Sequence, residues 1–103
     1  MRFSKDFIWG VATSAAQVEG GAAEDGRGPS IWDAFALKQG AIADGSKPDI
    51  ACDMYHKWPE DLELIKKLGV DSYRFSFSWS RIFPDGKGRI NQKGVDFYKR
   101  MVD

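Results

Sequence analysis

The chain has 103 residues, 43% of them hydrophobic and 14% aromatic, enough to fill the core of one small domain. Fifteen basic residues balance fifteen acidic ones, so no net field would draw the chain to nucleic acid or an anionic membrane, and no run of like charge forms a tail. The single Cys52 has no internal disulfide partner and no Cys or His companion at zinc spacing; structural burial is its expected fate, and a reducing cytoplasm is the compartment that fits.

Arg2 and Lys5 ahead of the apolar Phe7–Ala16 imitate a secretory leader, but Asp6 and Gly10 interrupt it and Trp9 and Thr13 make a poor apolar region. The N-terminus therefore reads as mature protein. No apolar run reaches the roughly 18 residues a membrane span needs.

The stretch Phe7–Gly21 reads as a short buried strand that runs into a loop of small residues. Phe7, Trp9 and Val11 alternate with Ile8, Gly10 and Ala12, giving a bulky face and a mostly small one. A small face lets another backbone or a ligand approach closely. The loop then delivers Gln17 and Glu19 at the strand's C-terminal end. An amide with two donors and an acceptor suits a polyhydroxylated ligand, although a polar turn after a strand explains the same residues.

Gly20–Asp49 is a long segment rich in Gly, Ala and Asp, and loops of this length are usually functional. Ser30 is placed to cap a short helix, Ile31–Leu37, with Asp33 where unpaired N–H groups need a carboxylate. Trp32, Phe35 and Ala36 form an apolar stripe that would pin the loop to a larger body, and Arg27, Trp32 and Asp33 read as loop anchors. Cys52, Asp53 and His56 lie close together, but no metal ligand set follows from that spacing; His56 reads as a hydrogen-bonded structural residue.

A second helix is expected from Pro59 in its first turn, with Glu60, Asp61 and Glu63 near the N-terminus, Lys66 and Lys67 in the last turn and Gly69 to end it. Leu62, Ile65 and Leu68 make its buried stripe. A second strand follows from Val70: Tyr73, Phe75, Phe77 and Trp79 point one way, Ser72, Arg74, Ser76 and Ser78 the other. Strand, helix, strand is a βαβ unit whose parallel strands are normally covered on both sides. Arg74 then faces an interior and needs a carboxylate that its own segment does not supply. After a turn at Pro84, Asp85 and Gly86, Asn91 is placed to cap a last helix with Val95, Tyr98, Met101 and Val102 on its apolar face. No C-cap glycine or third strand follows, so polypeptide beyond Asp103 is expected. No repeat or linker divides the chain.

Four blocks in this order resemble glycoside hydrolase family 1, the β-glucosidase family. FIWGVATSAAQVEGG, Phe7–Gly21, is similar to its N-terminal signature, departing at Ala16, where the family has an aromatic, Asn or His. EDGRGPSIWD, Glu24–Asp33, is similar to the segment after the glutamine loop. DMYHKWPEDLELIKKLG, Asp53–Gly69, resembles the first barrel helix, and YRFSFSWSRI, Tyr73–Ile82, the second barrel strand.

The resemblance implies an α/β fold made of the first two β/α units, about a quarter, of a TIM (β/α)8 barrel, with residues 1–103 forming the N-terminal portion of a single barrel domain. It implies a retaining β-glycosidase acting on terminal β-D-glucosides without a cofactor or metal. Gln17 would hydrogen-bond sugar hydroxyls, and Arg74 would sit beside the catalytic nucleophile and help keep it ionised. The two catalytic glutamates of the family lie in NEP-like and ENG-like motifs, neither of which occurs in residues 1–103. Glu19 receives no catalytic role and is read as structural or supporting.

The partners implied are a β-glucoside or related oligosaccharide and the remaining barrel segment. A second reading is a non-catalytic carbohydrate-binding or self-assembling fragment, in which further copies of this chain complete the barrel. A third places these residues in a longer or nicked polypeptide.

Overall fold

A computed structural model describes residues 2–103. Its elements run β1 (Gly10–Ala12), α1 (Ala15–Val18), α2 (Ile31–Ala36), α3 (Met54–Lys67), β2 (Ser72–Arg74), α4 (Trp79–Ile82) and α5 (Gln92–Val102). The two strands pair in parallel, Gly10 opposite Ser72, Val11 opposite Tyr73 and Ala12 opposite Arg74. The expected small face has a use here: a Cβ on Gly10 would stand 2.5 Å from the Ser72 hydroxyl.

Both strands are shorter than expected. The ladder starts where Trp9 receives the N–H groups of Asp71 and Ser72, and stops where Thr13 donates to the Arg74 carbonyl, because the first strand then turns into α1. Beyond Arg74 no further strand pairs with the chain among the described residues, and its polar groups turn to other partners. Ser76 accepts from the Ala15 N–H at 2.9 Å, and the Ser78 N–H donates to Tyr98 at 2.6 Å. Tyr73, Phe75 and Phe77 do keep one aromatic face, with ring centroids 5.5 and 5.6 Å apart. Trp79 leaves it for the single turn of α4, where it stacks on Phe83 at 4.7 Å and donates to the Gly86 carbonyl.

Three further expectations are corrected. α3 begins at Met54, so Pro59 lies in its second turn and no acid occupies the first. The start is set by Asp53, at φ 57°, whose carbonyl accepts the N–H groups of His56 and Lys57. Asn91 precedes α5 without a side-chain cap; its amide donates instead to the carbonyls of Asp25 and Arg81, at 2.8 and 2.9 Å. Cys52 is exposed, on the turn that leads into α3. The capping box at α2 is present, with the Ser30 side chain accepting from the Asp33 N–H and Asp33 accepting in return from the Ser30 N–H.

The core is small: Tyr55, Phe97 and Tyr98 are buried, with Trp58, Phe75, Ile82 and Met101 packed against them. α5 lies close on α4, where a Cβ on Gly94 would stand 2.2 Å from the Arg81 carbonyl oxygen. Much apolar surface stays open. Trp32 and Phe35 of the expected pinning stripe are 53% and 41% exposed, Leu68 of the α3 stripe 67%, and Phe3, Phe7 and Trp9 form an exposed aromatic cluster.

The solvent-accessible area is 7711 Å², against about 5,800 Å² for a self-contained monomer of this mass. The radius of gyration is 16.0 Å, where a compact domain of this length has about 13 Å. The chain is an open slab, and among the described residues no strand pairs with the outer edge of either strand. No helix among the described residues is long and apolar enough to cross a membrane.

Candidate functional site

β1 and β2 run parallel, with Gln17 five residues past the end of β1 and Arg74 the last residue of β2. Gln17 sits on α1, a single helical turn where a loop of small residues was expected, and its side chain is exposed. It lines a cavity of about 690 Å³ with Ser14, Ala16, Trp32, Lys47 and Pro48, within the range of about 300–1,000 Å³ typical of small-ligand sites. Small side chains at Ser14 and Ala16 leave that space beside the amide.

Arg74 closes β2, opposite Ala12. It is exposed and has no ion pair among the described residues. The inward-facing arginine expected from a sheet covered on both sides is not enclosed here, because two strands leave the face open.

Two residues past Gln17, Glu19 belongs to a buried cluster that sequence reasoning largely missed. Glu19, 5% exposed, accepts from Arg81 Nε at 3.1 Å and from the Tyr98 hydroxyl at 2.5 Å. Arg81 is fully buried; its Nη2 donates to the Gly20 carbonyl at 2.9 Å, and its guanidinium carbon stands 4.1 Å from the centre of the Tyr55 ring. Tyr98 in turn accepts the Ser78 N–H. Burial pushes the Glu19 carboxyl above its ordinary value, while the Tyr98 hydrogen bond and the Arg81 charge pull it back in part. Burial, with Glu19 beside it, also raises the Tyr98 phenol. A signal existed in the sequence: Glu19 and Arg81 are opposite charges, each set in a run of small or apolar residues.

The long loop is tied down by charged pairs. Arg27 reaches Asp33 at 3.0 Å and the Ala22 carbonyl at 2.9 Å, so both serve as the anchors expected, whereas Trp32 opens onto the cavity. His56 bridges Asp53 at 2.6 Å and Glu24 at 2.8 Å, the structural role expected of it; these two carboxylates raise its pKa above the usual value. Tyr55 donates to Asp25 at 2.5 Å, and burial, then that carboxylate, push its phenol up to about 12. No group of three or more potential ligands that could hold a metal occurs among the described residues.

Two parallel strands joined through helices are the repeating unit of α/β folds, and in (β/α)8 barrels the C-terminal ends of such strands carry the site. The family model described as Glycosyl hydrolase family 1 matches residues 1–103. The chain is 58% identical over 101 residues to β-glucosidase A of Acetivibrio thermocellus, covering 98% of this chain and 22% of that protein. It superposes on a Thermotoga maritima β-glucosidase in complex with castanospermine with a TM-score of 0.94 and 53% identity, covering 98% of this chain and 23% of the other. A rice β-glucosidase mutant in covalent complex with Glc matches with a TM-score of 0.94 at 48% identity, covering 21% of that chain.

The chain belongs to glycosyl hydrolase family 1. It forms two β/α units of the TIM barrel and spans between a fifth and a quarter of the length of these relatives.

Proposed function

We propose that these residues supply the first two β/α units of a retaining β-glycosidase that hydrolyses terminal β-D-glucosides, and that they form the N-terminal portion of one barrel domain. The observation that carries this reading is the presentation of an exposed Gln17 amide at the C-terminal end of the parallel pair, within a chain that matches β-glucosidases along nearly its whole length. Excess surface of about 1,900 Å² over a self-contained monomer supports the need for further barrel strands.

In the completed site Gln17 hydrogen-bonds hydroxyls of the non-reducing-end sugar. Its amide can donate to one hydroxyl and accept from another, which orients the ring against the attacking group. Arg74 stands beside the nucleophilic carboxylate, and its positive charge keeps that group ionised. Retention requires two carboxyl groups about 5–5.5 Å apart, one attacking the anomeric carbon and one first donating and then accepting a proton. Residues 1–103 contain neither NEP-like nor ENG-like motif, so both carboxylates come from the later strands and this segment alone is inactive. The covalent complex with Glc seen in the rice relative supports the retaining course.

The test is complementation. This chain, mixed with a polypeptide carrying the remaining six β/α units, should hydrolyse p-nitrophenyl β-D-glucoside, and neither part should do so alone. An assembled complex without activity overturns the proposal. Self-assembly is the competing outcome: sedimentation of this chain as a tetramer would favour a fragment that completes its own barrel.

A further inference from the structure

Gln17 is poorly held by its own element. α1 is one turn long, closed by the Gln17 and Val18 N–H groups on the Ser14 carbonyl at 2.9 and 3.1 Å and the Glu19 N–H on the Ala15 carbonyl at 3.0 Å. A single turn does not hold itself in water, because nucleation costs more than its few hydrogen bonds return. Its place must be set from outside. On the upstream side the Ala15 N–H donates to Ser76. On the downstream side the Cys52 thiol reaches the Gln17 carbonyl at 3.8 Å, and two residues on, contacts from three helices converge on Glu19.

That convergence has more directions than a burial site needs. The Glu19 carboxylate receives Arg81 from α4 and Tyr98 from α5, while its carbonyl receives the Tyr55 N–H from α3 at 2.8 Å. Arg81 binds the Glu19 side chain and the Gly20 main chain with one guanidinium, which fixes orientation as well as depth. Gly20 and Gly21, at φ 65° and 55°, then turn the chain away sharply. An apolar trio of equal volume would fill the space with similar or better stability. It would not set the direction in which α1 presents its outer residue.

We propose that Arg81 and Tyr98 are positioning residues for sugar recognition, acting through Glu19 to set where the Gln17 amide stands. The proposal rests on the reading of Gln17 as a sugar-binding residue, and adds that its placement is controlled by α4 and α5, 60 or more residues further along the chain.

The test is a double-mutant cycle in the complex of this chain with the remaining barrel units, read as kcat/KM on p-nitrophenyl β-D-glucoside, with thermal midpoints recorded in parallel. Tyr98→Phe removes the hydroxyl that donates to Glu19 and accepts the Ser78 N–H, and should lower kcat/KM about tenfold. In the Gln17→Ala background the same change should cost less than about twofold, while lowering the midpoint as much as before. Equal losses in both backgrounds, or no loss from Tyr98→Phe alone, overturn the proposal. Should Tyr98→Phe fail to assemble, Arg81→Lys is read by the same cycle and the same criteria. No effect from Gln17→Ala alone would instead refute the role given to Gln17, a different failure.

Discussion

Arg81→Met tests the physical account of the buried cluster most directly. The arginine side chain is fully buried and that of Glu19 is 6% exposed, so little water reaches either group. Methionine keeps much of the apolar stem but removes the charge, the bond to the Gly20 carbonyl and the face-on contact with Tyr55. Glu19 is then a buried carboxylate with Tyr98 as its remaining side-chain donor. Breaking a buried pair from one side costs about 3–5 kcal/mol, out of a total of about 5–15 kcal/mol for a domain.

Adding Glu19→Gln removes the stranded charge while leaving an acceptor for Tyr98. The double variant should regain about 1–3 kcal/mol of the loss. Urea unfolding followed by tryptophan fluorescence and circular dichroism gives both values. The pH dependence supplies a second check. Without the Arg81 charge the buried Glu19 carboxyl rises further above its ordinary value, so the Arg81→Met deficit should shrink as pH falls through the variant's folded value and level off once the wild-type carboxyl is protonated as well. A single variant costing under about 1 kcal/mol, or a double variant no better than the single, would refute the reasoning.

Other outcomes follow from separate features. His56 has a folded pKa above its unfolded 6.5, so its bridge to Asp53 and Glu24 should stabilise the fold below about pH 6.5 and fade as pH rises through the folded value. The stability gap between the wild type and His56→Gln should close accordingly in unfolding curves taken from acid to alkaline pH. Gly94→Ala would gain about 1 kcal/mol in an ordinary helix interior, but here the new Cβ meets the Arg81 carbonyl at 2.2 Å, so a net loss of about 1–3 kcal/mol is expected by thermal unfolding. Ser30→Ala should cost about 1 kcal/mol locally, seen as faster amide exchange at Asp33 and Ala34, whose N–H groups bond to Ser30.

The linear sequence determined a good deal of this protein. The alternation through Phe7–Ala12 and Tyr73–Phe77 placed two strands, the Ser30 and Asp33 pair placed α2, and the order of elements placed a parallel βαβ unit, because these features depend on neighbours a few residues apart. The family followed from short blocks of residue identity. Tertiary contacts decided the rest. Where β2 ends depends on which strand lies beside it, and α3 starts at Met54 because the Asp53 backbone turns there, ahead of the Pro59 that marked its expected start. Asn91 is drawn from its capping position by the carbonyls of Asp25 and Arg81, which the fold brings to it from 66 and 10 residues away. The pairing of Glu19 with Arg81 and Tyr98 spans 62 and 79 residues. No local pattern encodes such a contact, since its free energy exists only once packing has removed water from all three groups.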